Sequence, residues 1–166
     1  MTVIAACKKD NSVVIAGDRA FTDESNGSIS LSKSPKIFQP HSNVLVGVAG
    51  DGNICQDILD YDPPRVTGDI YNYIRRVFVK GLRISLKDYD LDQYSYSMLI
   101  GVNDRIFSVE EGVVLEHDYH AIGSGGLIAL GVLYVCDNPV KAVEAACHHM
   151  STCAGEIDIF TTSHDI

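Results

Sequence analysis

Basic side chains are scarce in this chain. Thirteen Lys and Arg face twenty-two Asp and Glu, a formal charge of −9 at pH 7. A nucleic-acid partner, which needs a cationic face to pair phosphates, is therefore not expected. Long apolar runs are missing too. The longest nearly uncharged stretch, Ala121 to Cys136, carries Ser, Gly and Tyr and is too short to span a bilayer, so no membrane role is expected. No secretory signal is read at the start, because Lys8 and Lys9 follow the first apolar run instead of preceding it. The five cysteines (Cys7, Cys55, Cys136, Cys147, Cys153) are odd in number and contain no C-x-x-C pair. They read as reduced thiols of a cytoplasmic protein. No repeat of solenoid period, low-complexity tract or long linker interrupts the chain, so residues 1–166 are expected to form one domain.

What is present is an ordinary globular balance, 46% apolar and 21% charged over 166 residues, long enough to bury a core without staples. Two apolar runs, Thr2 to Cys7 and Val13 to Ala16, flank the polar turn Lys8 to Ser12 and predict an N-terminal hairpin. A polar segment from Asp23 to Ser34 precedes Lys36-Ile37-Phe38 and a strand at Val44 to Val48. Asp51 or Asn53 is placed to cap a short helix bearing Ile54, Ile58 and Leu59. Between Gly68 and Leu86, apolar Ile70, Ile74, Val77, Phe78 and Leu82 recur at helical spacing. Tyr96 to Gly101 and Arg105 to Val109 predict a second hairpin turning at Asn103-Asp104. Short strand-like pieces at Val113 to Leu115 and Tyr119 to Ile122 lead to a helix ending near Cys136. Asn138-Pro139 then starts a helix running to about Cys153, and Ile157 to Thr161 closes as a strand. Runs of antiparallel strands separated by helix pairs indicate an α+β layered fold, not alternating βαβ units.

Chemistry can begin at position 2. Removal of Met1, which the small penultimate Thr permits, would place a hydroxyl nucleophile and a primary amine on Thr2. An α-amine with a pKa of about 7.7–8.0 can accept the hydroxyl proton near neutral pH. Taken alone a Met-Thr start is accidental far more often than not. Its weight comes from other segments: Ala16-Gly17-Asp18 ending a strand, Lys36 ahead of apolar residues, Gly47-Val48-Ala49-Gly50, Ala121 to Gly126, and Ala154 to Thr161.

These segments, in this order, resemble the proteasome β-subunit and HslV-type family of N-terminal-nucleophile (threonine) peptidases over nearly the whole chain. The resemblance implies a four-layer αββα sandwich of two antiparallel sheets between helix pairs. It also implies roles. Thr2 Oγ attacks the scissile carbonyl, its α-amine relays the proton, and Lys36 stabilises the developing alkoxide. Asp18 pairs with Lys36, the Gly47 N–H meets the oxyanion, and Ser124 orients the amine. Phe21, Leu45 and Ala49 would line the pocket for the residue before the cleaved bond. Carbonyls at Gly155, Asp158 and Thr161 would hold a structural sodium ion, with no other cofactor required. Partners implied are further copies of the chain in a ring stack, an ATP-dependent unfoldase and polypeptide substrates.

Each residue has a plainer reading. Asp18 could be an ordinary strand-end turn residue. Lys33 competes with Lys36 but lies in a polar stretch, whereas Ile37-Phe38 give Lys36 a buried strand. Gly123 to Gly126 lacks the G-x-G-x-x-G and P-loop patterns, and Ile122 rules out a nucleophile elbow. His117-Asp118-Tyr119-His120 and His148-His149 lack further ligands at metal spacing and read as surface histidines. Met150 and Cys153-Ala154-Gly155 stand where proteasomal chains carry an Asp and Ser-Gly-Gly, so no second carboxylate is expected beside Thr2. Two other functions fit the same fold: a catalytically silent ring subunit, and an amidohydrolase acting on small amides.

Overall fold

The computed structural model describes residues 2–23 and 25–163. Strands β1 (Ile4–Lys9) and β2 (Ser12–Gly17) form the N-terminal hairpin, turning through Asp10 at φ 54°. β3 (Ala20–Thr22) and β4 (Ile29–Leu31) form a small separate hairpin, β4 lying within the segment from Asp23 to Ser34 that reads only as polar. β5 (Ile37–His41) and β6 (Val44–Gly50) follow, then helix α1 (Gly52–Leu59). Next come α2 (Ile70–Tyr73), a π turn over Ile74–Phe78 and α3 (Val79–Ser85). β7 (Tyr96–Val102), β8 (Arg105–Glu110), β9 (Val113–His117) and β10 (Tyr119–Ile122) lead to α4 (Gly126–Val135), α5 (Pro139–His149) and β11 (Asp158–Thr161).

One antiparallel sheet runs β10-β1-β2-β11 and the other β5-β6-β7-β8-β9. Three apolar layers hold them together. Ile4, Ile15, Leu45, Leu99 and Ile106 fill the space between the sheets. Val3, Ala5 and Ala16 pack outward on Leu133, Val143 and Ala146 of α4 and α5. Val46, Val48, Ile100 and Phe107 pack outward on Ile54, Ile58, Phe78 and Leu82 of the other helices. The result is the four-layer αββα sandwich.

Side-chain alternation along β6 assigns the two faces of its sheet. Val44, Val46 and Val48 face the helices, while Leu45 and Ala49 face the other sheet, as the period of two along a strand requires. Val77 does not join the core and is 38% exposed. The π turn adds a residue to the repeat, so Tyr73 and Ile74 are followed on the buried face by Phe78 and Val79, five positions on. The Asn138 side chain caps α5 by accepting from Lys141 N–H at 3.1 Å. Asp51 is the N-cap residue of α1 but makes no capping bond; its Oδ2 accepts instead from Ser95 N–H at 2.8 Å. α5 stops at His149, short of the expected Cys153, and a turn places Cys153 N–H on Met150 O.

Candidate active site

The ends of five strands meet where the two sheets open. Thr2 precedes β1, Asp18 follows β2 and Gly123-Ser124 follow β10, all from one sheet. Lys36 precedes β5 and Gly50 ends β6, from the other. Hairpin geometry brings Asp18 to the neighbour of Thr2: Ile4 pairs with Gly17, so the next residues outward, Val3 and Asp18, fall alongside. The pair is stitched by Asp18 N–H to Val3 O at 3.1 Å and Val3 N–H to Asp18 Oδ1 at 3.0 Å.

Lys36 reaches across from the second sheet. Its Nζ donates to Thr2 Oγ1 at 2.9 Å, to Asp18 Oδ1 at 3.0 Å and to the Ala20 carbonyl, and lies 5.1 Å from the Phe21 ring centroid. Asp18 is fully buried, and Lys36 and Thr2 are 3% and 6% exposed. The Asp18 carboxylate also accepts from the Ala20 and Ala154 N–H groups, each at 3.2 Å. These donors satisfy the buried carboxylate, which stands as the ion-pair partner of the lysine. Burial pushes the Lys36 ammonium below its usual range, and Asp18 opposes that shift. The result is an acidified ammonium hydrogen-bonded to a hydroxyl.

On the other side of Thr2, its N–H donates to Ser124 Oγ at 3.3 Å, and its carbonyl accepts from Ser124 Oγ at 3.3 Å and Gly125 N–H at 3.2 Å. Gly123, at φ +87°, lets this loop lie against Thr2: a Cβ there would sit 2.2 Å from the Thr2 carbonyl oxygen. Ser124 Oγ is also 3.4 Å from Thr152 Oγ1. Thr2, Asp18, Lys36 and Ser124 are therefore gathered in one place. Lys33 is not: it is exposed, and its carbonyl accepts from Arg19 Nη1 at 3.0 Å.

Gly47 lies away from this group. It sits inside β6, paired with Ile37 and Leu99, and a Cβ on it would strike Ile4 in the inter-sheet core. Strand N–H groups alternate between neighbours. Val48 N–H goes to Lys36 O and Asp51 N–H to Ser95 O, which directs Gly47 N–H toward β7 and Gly50 N–H toward the β5 side, where Lys36 and Thr2 lie. Gly50 lines both cavities that Thr2 lines. Its φ of +141° and a virtual Cβ only 2.1 Å from Ser95 O require glycine. The motif Gly47-Val48-Ala49-Gly50 contains the donor facing the site, but at its last residue.

A small cavity of about 20 Å³ is lined by Thr2, Phe21, Lys36, Val48, Cys55 and Leu59. Phe21 is there as expected. Leu45 and Ala49 are not, because their side chains take the opposite face of β6; Leu45 is core and Ala49 borders a larger cavity of about 350 Å³. Cys55, a wall residue that sequence inspection reads only as a thiol, is brought in by the first turns of α1. Burial pushes its thiol up to about 12.

The expected sodium site does not fit the geometry. Asp158 and Thr161 lie on one strand, where three steps span about 10 Å and turn the carbonyls to opposite edges. The Asp158 carboxylate grips Arg19 through Nε at 2.8 Å and Nη2 at 2.6 Å, and the Thr161 carbonyl accepts from Gln39. Gly155, Asp158 and Thr161 therefore cannot close one coordination shell. Among the described residues no three His, Cys, Asp or Glu side chains converge as metal ligands. His117 and His120 stack on each other, ring centroids 4.1 Å apart, with His117 Nε2 2.8 Å from Ser108 Oγ. No described helix is long and apolar enough to cross a membrane.

A sequence-family model described as proteasome subunit matches residues 2–157. No curated protein matches at a significant level. Among solved structures, a Thiobacillus denitrificans BPH in complex with epoxomicin superposes with a TM-score of 0.79 at 22% identity, covering 97% of this chain and 98% of that one. The eukaryotic HslV from Trypanosoma brucei superposes with a TM-score of 0.73 at 19% identity, covering 98% and 100%. The fold is shared with both.

Proposed function

The chain belongs to the proteasome subunit family, and we propose that it is a threonine endopeptidase whose nucleophile is Thr2, exposed by removal of Met1. The observation that carries this reading is the buried relay Thr2 Oγ1, Lys36 Nζ, Asp18 Oδ1, with successive contacts of 2.9 and 3.0 Å between two open cavities. A buried cation at a hydroxyl favours the alkoxide, which is what an otherwise weak nucleophile needs. With Met1 gone, the Thr2 nitrogen is an amine held toward Ser124. It takes the hydroxyl proton as Oγ attacks the peptide carbonyl and returns it to the departing amine. The oxyanion forms against Gly50 N–H, a donor of a kind whose loss typically costs about 2.7–4 kcal/mol in the barrier. The resulting ester at Thr2 is hydrolysed by water, with the amine again as base.

As a family member, the chain is taken to act in a homo-oligomeric ring stack that encloses its sites, fed by an ATP-dependent unfoldase. Five unpaired thiols suit a reducing cytoplasm. Intact mass of the purified protein tests the premise, expecting Thr2 first. Fluorogenic peptide hydrolysis by wild type and Thr2→Ala tests the chemistry. The variant should assemble as wild type does and lose hydrolysis. Epoxomicin, bound by the Thiobacillus denitrificans protein, should form an adduct that maps to Thr2. Retained Met1 in the assembled protein, or full activity in Thr2→Ala, would overturn the reading in favour of a silent ring subunit or a different nucleophile.

A further inference from the structure

Resting on the reading of Thr2 as nucleophile, we propose that the site selects substrates with a basic side chain, Lys or Arg, on the leaving-group side of the cleaved bond. Thr2 and Gly50 are shared by two cavities, so a peptide carbonyl held between them must project its two halves into different spaces. Proton delivery tells the halves apart. The departing amine must receive a proton from the Thr2 nitrogen, which is held by Ser124, and Ser124 and Gly123 line the larger cavity. The smaller one is lined by Lys36 and the apolar Phe21, Val48 and Leu59. The acyl half therefore faces a tight apolar pocket and the leaving half a cavity of about 350 Å³.

That larger cavity carries charge of one sign. Asp51 and Glu110 line it, and no Lys, Arg or His does among the described residues. Strand register explains the placement of Glu110. Ala49 pairs with Ser97 and Ser97 with Glu110, so the three form a row across β6, β7 and β8 on the face that Ala49 shows to the other sheet. At about 4.8 Å per strand, Glu110 stands about 10 Å from Ala49. A lysine or arginine seated beside Thr2 has a long, flexible stem with which to reach toward that carboxylate. Asp51 is engaged through one oxygen by Ser95 N–H, while the Glu110 carboxylate has no hydrogen-bond or ion-pair partner among the described residues. Arg83 lies in the adjoining cavity together with Asp92 and Glu111. No Lys, Arg or His among the described residues lines the leaving-group wall beside these carboxylates, and a cationic side chain is the group that complements them.

The test profiles cleavage of a peptide library by the assembled protein, with the residues after each cut identified by mass spectrometry, for wild type and Glu110→Lys. Lys and Arg should be enriched just after the cleaved bond. In Glu110→Lys, kcat/KM for such peptides should fall at least tenfold while peptides with Ala at that position are cleaved as before. Equal preference in the two proteins, or no basic enrichment in wild type, would overturn the proposal. Should neither protein cleave anything, anisotropy of a fluorescent Arg-containing peptide on Thr2→Ala and on Thr2→Ala/Glu110→Lys decides separately. Binding weakened at least tenfold by the added lysine supports the acidic subsite and condemns only the hydrolytic reading. Unchanged binding, or none, ends the proposal.

Discussion

Lys36 Nζ and Thr2 Oγ1 stand 2.9 Å apart although their residues belong to different sheets and are joined by no shared turn. The lysine is buried beneath the hydroxyl, not beside it in solvent, so its charge acts at low dielectric. Lys36→Ala should therefore lower kcat/KM by about 10²–10³ or more, the range seen when a single transition-state donor is removed. Lys33→Ala should leave it within twofold. Steady-state hydrolysis of one fluorogenic peptide by the two variants checks both expectations.

The glycines of β6 give opposite expectations. Gly50→Ala would push a Cβ into Ser95 O and displace the N–H facing Thr2, so activity should be lost. Gly47→Ala would press only on the Ile4 side chain, 2.8 Å from the new atom, so it should cost stability, about 1–3 kcal/mol, and retain measurable turnover. Urea unfolding alongside activity separates the two. Inactive but fully stable Gly47→Ala would return the oxyanion role to that residue.

Asp18→Asn tests the buried ion pair. It removes the anion that opposes burial of Lys36, so the ammonium should acidify further and lose its proton nearer neutral pH. Breaking a buried pair from one side typically costs about 3–5 kcal/mol. The variant should show a lower urea midpoint and reduced turnover at pH 7. A midpoint equal to wild type would mean that the pair contributes nothing to holding the sheets together.

Acid should weaken the fold through His120. Burial, helped by the neighbouring His117, pushes its imidazole from 6.5 down to about 4. Between those values the unfolded chain binds a proton that the folded chain refuses, so stability falls as pH drops from about 6.5 toward 4. Above pH 6.5 the residue contributes no slope. His120→Gln should flatten the urea midpoint against pH across that window and nowhere else. An unchanged profile would remove His120 as a source of acid sensitivity.

The legible part of the site was the part carried by residue type at a strand end. Asp18 and Lys36 are charged residues beside apolar runs, and once those runs are strands their ends must meet. Parity was not legible. Which of Gly47 and Gly50 turns its N–H to Thr2, and whether Leu45 or Val48 walls the pocket, depends on register against β5 and β7, a long-range pairing that local pattern does not encode. The π turn was equally hidden, since Ile70, Ile74 and Val77 obey an α-helical period until one added residue rotates Val77 outward. The small hairpin at Ala20–Thr22 and Ile29–Leu31 escaped for another reason: its strands are three residues each, and the alternation of Ile29-Ser30-Leu31 is too short to register inside a polar stretch.

Thr2, Asp18 and Ser124 hang from one sheet, Lys36 and Gly50 from the other. The proposed hydrolysis is therefore a property of the seam and belongs to neither slab alone. A slippage of an ångström or so between them, far too slight to melt either ladder, would pull the cation off the hydroxyl and end the proposed turnover while the circular dichroism stayed native. Turnover here should serve as a gauge of how firmly the slabs are clamped.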